Sequence, residues 1–236
     1  MQGSGYENVK VKHVLQMSSG VKWDENYLDF NSDINKMGRL LAIGGSLDEM
    51  TTQLESESTA GEKFHYVSMD THVIAMILRR VTKQPLVELV QHNLWNKIGM
   101  EGDAAWITDS KDTAFALGGL NARTRDYARF GRLLLNNGRW QNEQLVSQNW
   151  LEEATTAGAD YLKSSEGKLG YGYQIWLPPL AQQGEFFCVG VYGQYIYVNQ
   201  QQGVVIVKNS ADKIFKDGYS KQETIAFFRA IVASLT

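Results

Sequence analysis

Apolar residues recur at helical spacing through roughly the first two-thirds of the chain and then switch to short aromatic and β-branched runs. Val11, Val14, Leu15 and Met17 predict a short helix closing at Gly20, and Leu47, Met50 and Leu54 predict another behind a Ser46 cap. Val73, Ile74, Ile77, Leu78 and Val81 mark a longer helix after Ser68, and Pro85 opens one through Leu86, Leu89, Val90 and Leu94. Gly118, Gly119 and Leu120 form a turn. Thr124 then caps a helix through Tyr127, Phe130 and Leu133 that stops at Gly138, and a shorter one starts at Ser147. Beyond Gly170 the runs Tyr171 to Leu177, Glu185 to Gly190, Tyr192 to Val198 and Val204 to Lys208 read as strands, with a hairpin connection from Asn199 to Gly203. A last helix from about Ser220 to Leu235 presents Ile225, Phe228, Ile231 and Val232 on one face.

This order predicts an α+β fold: a mainly helical region over 1–160 and an antiparallel sheet packed by a C-terminal helix over 161–236, together one incomplete domain. With 236 residues, 43% of them hydrophobic and 21% charged, the chain can build a real core. A net charge of −3 with scattered Lys and Arg argues against nucleic acid or an anionic membrane as partner. No stretch approaches the roughly 20 apolar residues of a membrane span, and the first residues lack the apolar core of a signal peptide.

The single cysteine, Cys188, excludes an internal disulfide and sits in an apolar run, where it reads as a small core residue. No His, Cys or carboxylate cluster has the spacing of metal ligands, so neither metal nor cofactor is expected. Asp24–Glu25 and Glu152–Glu153 are adjacent pairs whose side chains point apart, which suits solvated surface better than a glycosidase dyad. His65 and His72 flank one tyrosine, but no nucleophile elbow accompanies them.

Several strings resemble, in the right order, motifs of the β-lactamase-like serine hydrolase superfamily, nearest its 6-aminohexanoate-dimer hydrolase and esterase branch. These are Leu15-Gln16-Met17-Ser18-Ser19-Gly20 with Trp23-Asp24-Glu25, Tyr66-Val67-Ser68, Gly118-Gly119-Leu120 with Arg125-Asp126-Tyr127-Ala128-Arg129-Phe130-Gly131, Tyr171-Gly172-Tyr173, and Gly190-Val191-Tyr192-Gly193-Gln194. The resemblance covers nearly the whole chain. It implies a β-lactamase/transpeptidase-like fold and an acyl-enzyme mechanism in which a Ser-x-x-Lys serine attacks while its lysine and the motif tyrosine move protons.

By that resemblance Tyr66 is the catalytic tyrosine, and Ser68 contacts substrate, although Ser68 also suits an N-cap. Tyr66 by itself also suits a buried, hydrogen-bonded core tyrosine. Gly190, Val191, Tyr192 and Gly193 fall on the strand of the third motif, where the Val191 N–H would serve as an oxyanion donor. Gly190 and Gly193 either admit substrate closely or mark a bulge. The family's usual Lys-Thr-Gly or His-Gly is absent here, which points away from the β-lactam carboxylate and towards esters or amides.

The family's Ser-x-x-Lys precedes the Ser-Ser-Gly element by a few tens of residues, and this chain starts too close to hold it. Ser165 to Lys168 and Ser210 to Lys213 have the spacing but not the place, and read as chance matches. The first expectation is therefore a serine hydrolase of small ester or amide substrates, inactive as this piece because nucleophile and lysine are missing. A non-catalytic binding module on the same fold is the alternative, and a second polypeptide supplying the segment is a third. Loss of neighbouring strands would expose a sheet edge through which the chain self-associates. The resemblance places the parent protein in the periplasm or outside the cell, and the substrate stays open.

Overall fold

The computed structural model describes residues 1–215 and 218–235, which divide into two compact units discontinuous in sequence. Unit 1 comprises 1–91 and 105–121; unit 2 comprises 92–104 and 122–236.

Unit 1 is helical: α1 Val11–Leu15, α2 Asp33–Ala42, α3 Leu47–Thr52, α4 Ser68–Thr82 and α5 Leu86–Val90, with a small antiparallel pair β1 Ala105–Trp106 and β2 Leu120–Asn121. Serine hydroxyls start two of these helices, Ser32 accepting from Asn35 N–H and Ser46 from Glu49 N–H, which satisfies donors a helix start otherwise orphans. Ser68 is different: Val67 occupies the cap position and Ser68 is already the first helical residue, so its hydroxyl is released for other use. The core of this unit is built on Trp23, Ile34, Met37, Leu47, Val67 and Met69, and a second cluster of Tyr6, Val14, Val21 and Val73 packs α1 against α4.

Inside α4 the buried His72 ring takes Asp48 of α3 through Nε2 at 2.8 Å, and Arg79 reaches the same carboxylate oxygen at 2.7 Å. His65 Nε2 lies 2.9 Å from Trp23 O. Both histidines thus hold structure together, and neither is paired with a serine.

Unit 2 contains α6 Thr124–Leu135, the hairpin β3 Arg139–Trp140 and β4 Glu143–Gln144, and α7 Gln148–Ala154. A five-stranded antiparallel sheet follows: β5 Gly170–Tyr171, β6 Trp176–Leu177, β7 Glu185–Gly190, β8 Gln194–Asn199 and β9 Val204–Lys208 in sequential order, then α8 Gly218–Ser234. Alternation along β8 sorts its faces. Tyr195 and Tyr197 pack with Phe187 against Ile225, Phe228 and Val232 of α8, while Ile196 and Val205 of β9 meet α6 at Gly131. Glu185, buried at the start of β7, accepts from Tyr197 Oη at 2.8 Å and from Arg229 Nε and Nη2 at 2.7 and 2.8 Å, a two-pronged tie between sheet and α8.

Three local expectations change. Thr124 is the first helical residue and Arg123 the cap. The run Tyr171 to Leu177 is not one strand: Gln174 has a φ of 57°, so the chain turns between β5 and β6. The run Tyr192 to Val198 starts as a strand only at Gln194, because Tyr192 and Gly193 have φ of 60° and 80°, which a pleated strand cannot accommodate. Cys188 lies on β7, half-buried, and burial pushes its thiol up to about 12, far from a reactive thiolate. Among the described residues no helix is long and apolar enough to cross a membrane.

Candidate active site

In unit 1 the Ser-Ser-Gly element and the tyrosine motif lie side by side. His65 N–H donates to Met17 O at 2.8 Å and Gly61 N–H to Ser18 O at 2.8 Å, so the segment ending in Tyr66 is laid along residues 17–20. Gly20 has a φ of 74°, and a Cβ there would stand 2.1 Å from Ser58 O; only glycine lets the two segments approach so closely.

Tyr66 sits half-buried just before α4, and Ser68 is buried in its first turn. The Ser68 hydroxyl donates to Glu25 Oε1 at 2.7 Å, which also accepts from Tyr27 Oη at 3.0 Å, while Glu25 Oε2 takes the Trp23 indole N–H. Glu25 therefore is not the solvated surface residue its neighbour Asp24 is. It gathers two hydroxyls and an indole beside the start of α4, where the positive end of the helix favours a negative charge.

Asp70 is fully buried in the first turn of the same helix and accepts from Tyr6 Oη at 2.8 Å. Burial raises its carboxyl to about 7, against the pull of hydrogen bonds from Ser19 and Tyr6. Burial also raises the Tyr66 phenol, and the charges that act on it, Glu25 and Asp70, are both carboxylates and raise it further. Both effects disfavour loss of the phenolic proton.

In unit 2, Gly190 ends β7 and pairs with Gln194 across a three-residue turn, Val191–Gly193. The third-motif segment is thus a hairpin tip with Tyr192 left-handed and half exposed. The segment after β9 holds it: Asp212 N–H donates to Tyr192 O at 3.0 Å, Ser210 N–H to Gln194 Oε1 at 3.2 Å, and the Tyr192 and Phe215 rings meet edge-on at 5.1 Å. Ser210, which the Ser-x-x-Lys spacing drew attention to, is engaged in this buttress, and Ser165 and Lys168 face each other across a turn through paired backbone hydrogen bonds. Neither string lies on a helix, where a lysine three residues on would stand over its serine.

The structure thus joins Tyr66 and Ser68 to Glu25 and Asp70, and joins Gly190, Val191, Tyr192 and Gly193 to Ser210 and Asp212. Sequence reasoning missed Glu25, Asp70 and Asp212 as parts of these clusters. Glu25 stood within the Trp23-Asp24-Glu25 string and could have been found there; Asp70 and Asp212 carry no local signal. Among the described residues no three His, Cys, Asp or Glu side chains converge as a metal site.

A family model described as Beta-lactamase matches residues 1–225. A 6-aminohexanoate-dimer hydrolase of Paenarthrobacter ureafaciens is 30% identical over 224 residues, 89% of this chain and 57% of that protein. The structure of a proposed 6-aminohexanoate-dimer hydrolase from Bacillus anthracis is similar with a TM-score of 0.81 at 26% identity, over 99% of this chain and 63% of the other. A penicillin-binding protein from Bacillus halodurans has a TM-score of 0.67 at 17% identity, over 94% of this chain and 74% of its own, a likeness of fold alone. The chain thus spans less than two-thirds of the length of the two 6-aminohexanoate-dimer relatives.

Proposed function

Since the chain belongs to the beta-lactamase family, we propose that it forms part of a serine hydrolase that cleaves a small ester or amide through an acyl-enzyme, with Tyr66 as the proton-transferring residue. The observation that carries this reading is the environment of Tyr66: a half-buried phenol at the start of α4, held protonated by burial and by the carboxylates of Glu25 and Asp70. Such a phenol can give its proton to the leaving alkoxide or amine as the acyl bond forms. Ser68, its hydroxyl donated to Glu25, offers lone pairs to substrate.

The nucleophile is not among these residues on this reading, because neither Ser-x-x-Lys string has helical geometry. The chain alone is then inactive on p-nitrophenyl butyrate, and a protein carrying a family Ser-x-x-Lys helix ahead of it is active. In that active protein Tyr66→Phe lowers kcat about 10²-fold with a smaller change in KM. Turnover by the chain alone that Tyr66→Phe abolishes would place a nucleophile within it and overturn the assignment.

We further propose that the chain self-associates through the outer edge of β9, the five-residue strand that pairs on one side only among the described residues.

A further inference from the structure

Lysines and arginines are spread over the whole chain, yet five of its nine arginines fall within residues 123–139, a stretch whose only carboxylate is Asp126. Unit 2 turns that local excess into a surface. Helical spacing sets Arg125, Arg129 and Arg132 on one face of α6, while Leu133 packs with Ile98 and Trp140, and Gly131 meets Ile196 and Val205. Asp126 is fully buried and accepts Glu101 N–H at 2.6 Å, so it is withdrawn from the arginines. Arg123 occupies the cap position at one end of the row, and Arg139, which opens β3, stands beyond the other.

Little on the surface offsets these charges. Glu101 Oε1 accepts from Arg129 Nη2 at 2.9 Å and lies 4.0 Å from Nη1 of Arg125, whose side chain is 83% exposed. Glu143 is taken by Lys97 at 3.0 Å, and Asp103 follows Gly102, against which the Arg123 guanidinium lies. Among the described residues Arg123, Arg132 and Arg139 form no salt bridge. Arg132 lies over the Trp140 ring instead, its Cζ 5.3 Å from the centroid. Like charges three and four residues apart on a helix face cost stability, so the row does nothing for α6 itself.

We propose that this face of α6 docks an acidic segment of a partner protein, extended and with a carboxylate at every second residue. Arg125 and Arg129 stand about 6 Å apart along the helix axis, and alternate side chains of an extended strand repeat at about 6.7 Å on one side. Successive carboxylates therefore meet successive guanidiniums, each of which takes a carboxylate through two parallel N–H bonds. The face suits this partner better than a membrane or a nucleic-acid single strand. No large apolar or aromatic side chain of residues 122–146 is exposed, so nothing there enters a bilayer or stacks on a base.

The test measures, by fluorescence anisotropy, binding of the chain to a labelled peptide of five Glu-Ser repeats, beside the matching Gln-Ser peptide, a short DNA duplex and phosphatidylglycerol vesicles. The Glu-Ser peptide should bind, and the Gln-Ser peptide about tenfold more weakly. Arg125→Gln and Arg132→Gln should each weaken the Glu-Ser peptide about threefold. Lys163→Gln, the same loss of charge at another exposed site of unit 2, should leave it unchanged. Raising NaCl from about 0.05 to about 0.5 M should weaken binding to the parent chain, an arm that holds whatever a variant does to α6. Equal binding of the two peptides, an equal effect of Lys163→Gln, insensitivity to salt, or no binding of the Glu-Ser peptide overturns the proposal. Tighter binding of the duplex or the vesicles than of the Glu-Ser peptide overturns it too, and assigns the row to a phosphate-bearing partner.

Discussion

At the scale of single residues, Asp70 is where burial and chemistry conflict most. Its carboxyl is raised from 3.8 to about 7 by burial, with Tyr6 and Ser19 hydrogen-bonding it. Between about pH 4 and 7 the folded chain therefore keeps a proton that the unfolded chain has released. Stability from this group is highest at the acidic end of that window and falls as pH rises through it. Asp70→Asn keeps an acceptor for Tyr6 and removes the titration, so the variant should gain on the parent in urea midpoint at pH 8 relative to pH 5. An equal difference at both pH values would show that the carboxyl is ionised throughout. Tyr66 feels Asp70 together with Glu25, and the role proposed for it depends on them.

At the scale of elements, close approach decides what packs. Helix α6 lies on β8 and β9 at Gly131, where an added Cβ would stand 2.6 Å from Val205 Cγ1 and 2.9 Å from Ile196 Cγ2. These are methyls on stiff β-branched stems and have little room to yield. Gly131→Ala gains up to about 1 kcal/mol of helix propensity, but overpacking costs about 1–3 kcal/mol, so a net loss in urea-unfolding free energy is expected. A stabilised variant would mean that α6 can shift outward. Helices α3 and α7 were legible for the converse reason. Ser46 and Ser147 are local caps that act through their own N3 amides, at Glu49 and Trp150, and need no distant partner to be recognised. Ser68 misled, since the choice between capping and donating to Glu25 depends on a residue 43 positions away.

At the scale of the whole chain, β9 bears on solution behaviour. It is five residues long, Val204 to Lys208, and stands at the end of the sheet with four apolar residues and one lysine. A strand of that kind offers unpaired backbone groups to another copy. Light scattering should give an apparent mass that rises with protein concentration, and Ile206→Lys, which places a second cation on the strand, should lower it. A concentration-independent monomer mass for the parent chain would rule out edge pairing.

The sequence by itself determined the α+β class, the position of most helices, the strands β7 and β9 and the family, since helical and alternating periods and motif order are written locally along the chain. The tertiary structure alone decided that the units are discontinuous, with 105–121 grouped with 1–91. It alone turned Val191–Gly193 into a hairpin tip braced by Ser210 and Asp212. It also brought Glu25 and Asp70 near enough for their charges to act on Tyr66. These outcomes depend on groups distant in sequence meeting in space, and a change of backbone sign at Tyr192 or a buried carboxyl at Asp70 leaves no periodic trace.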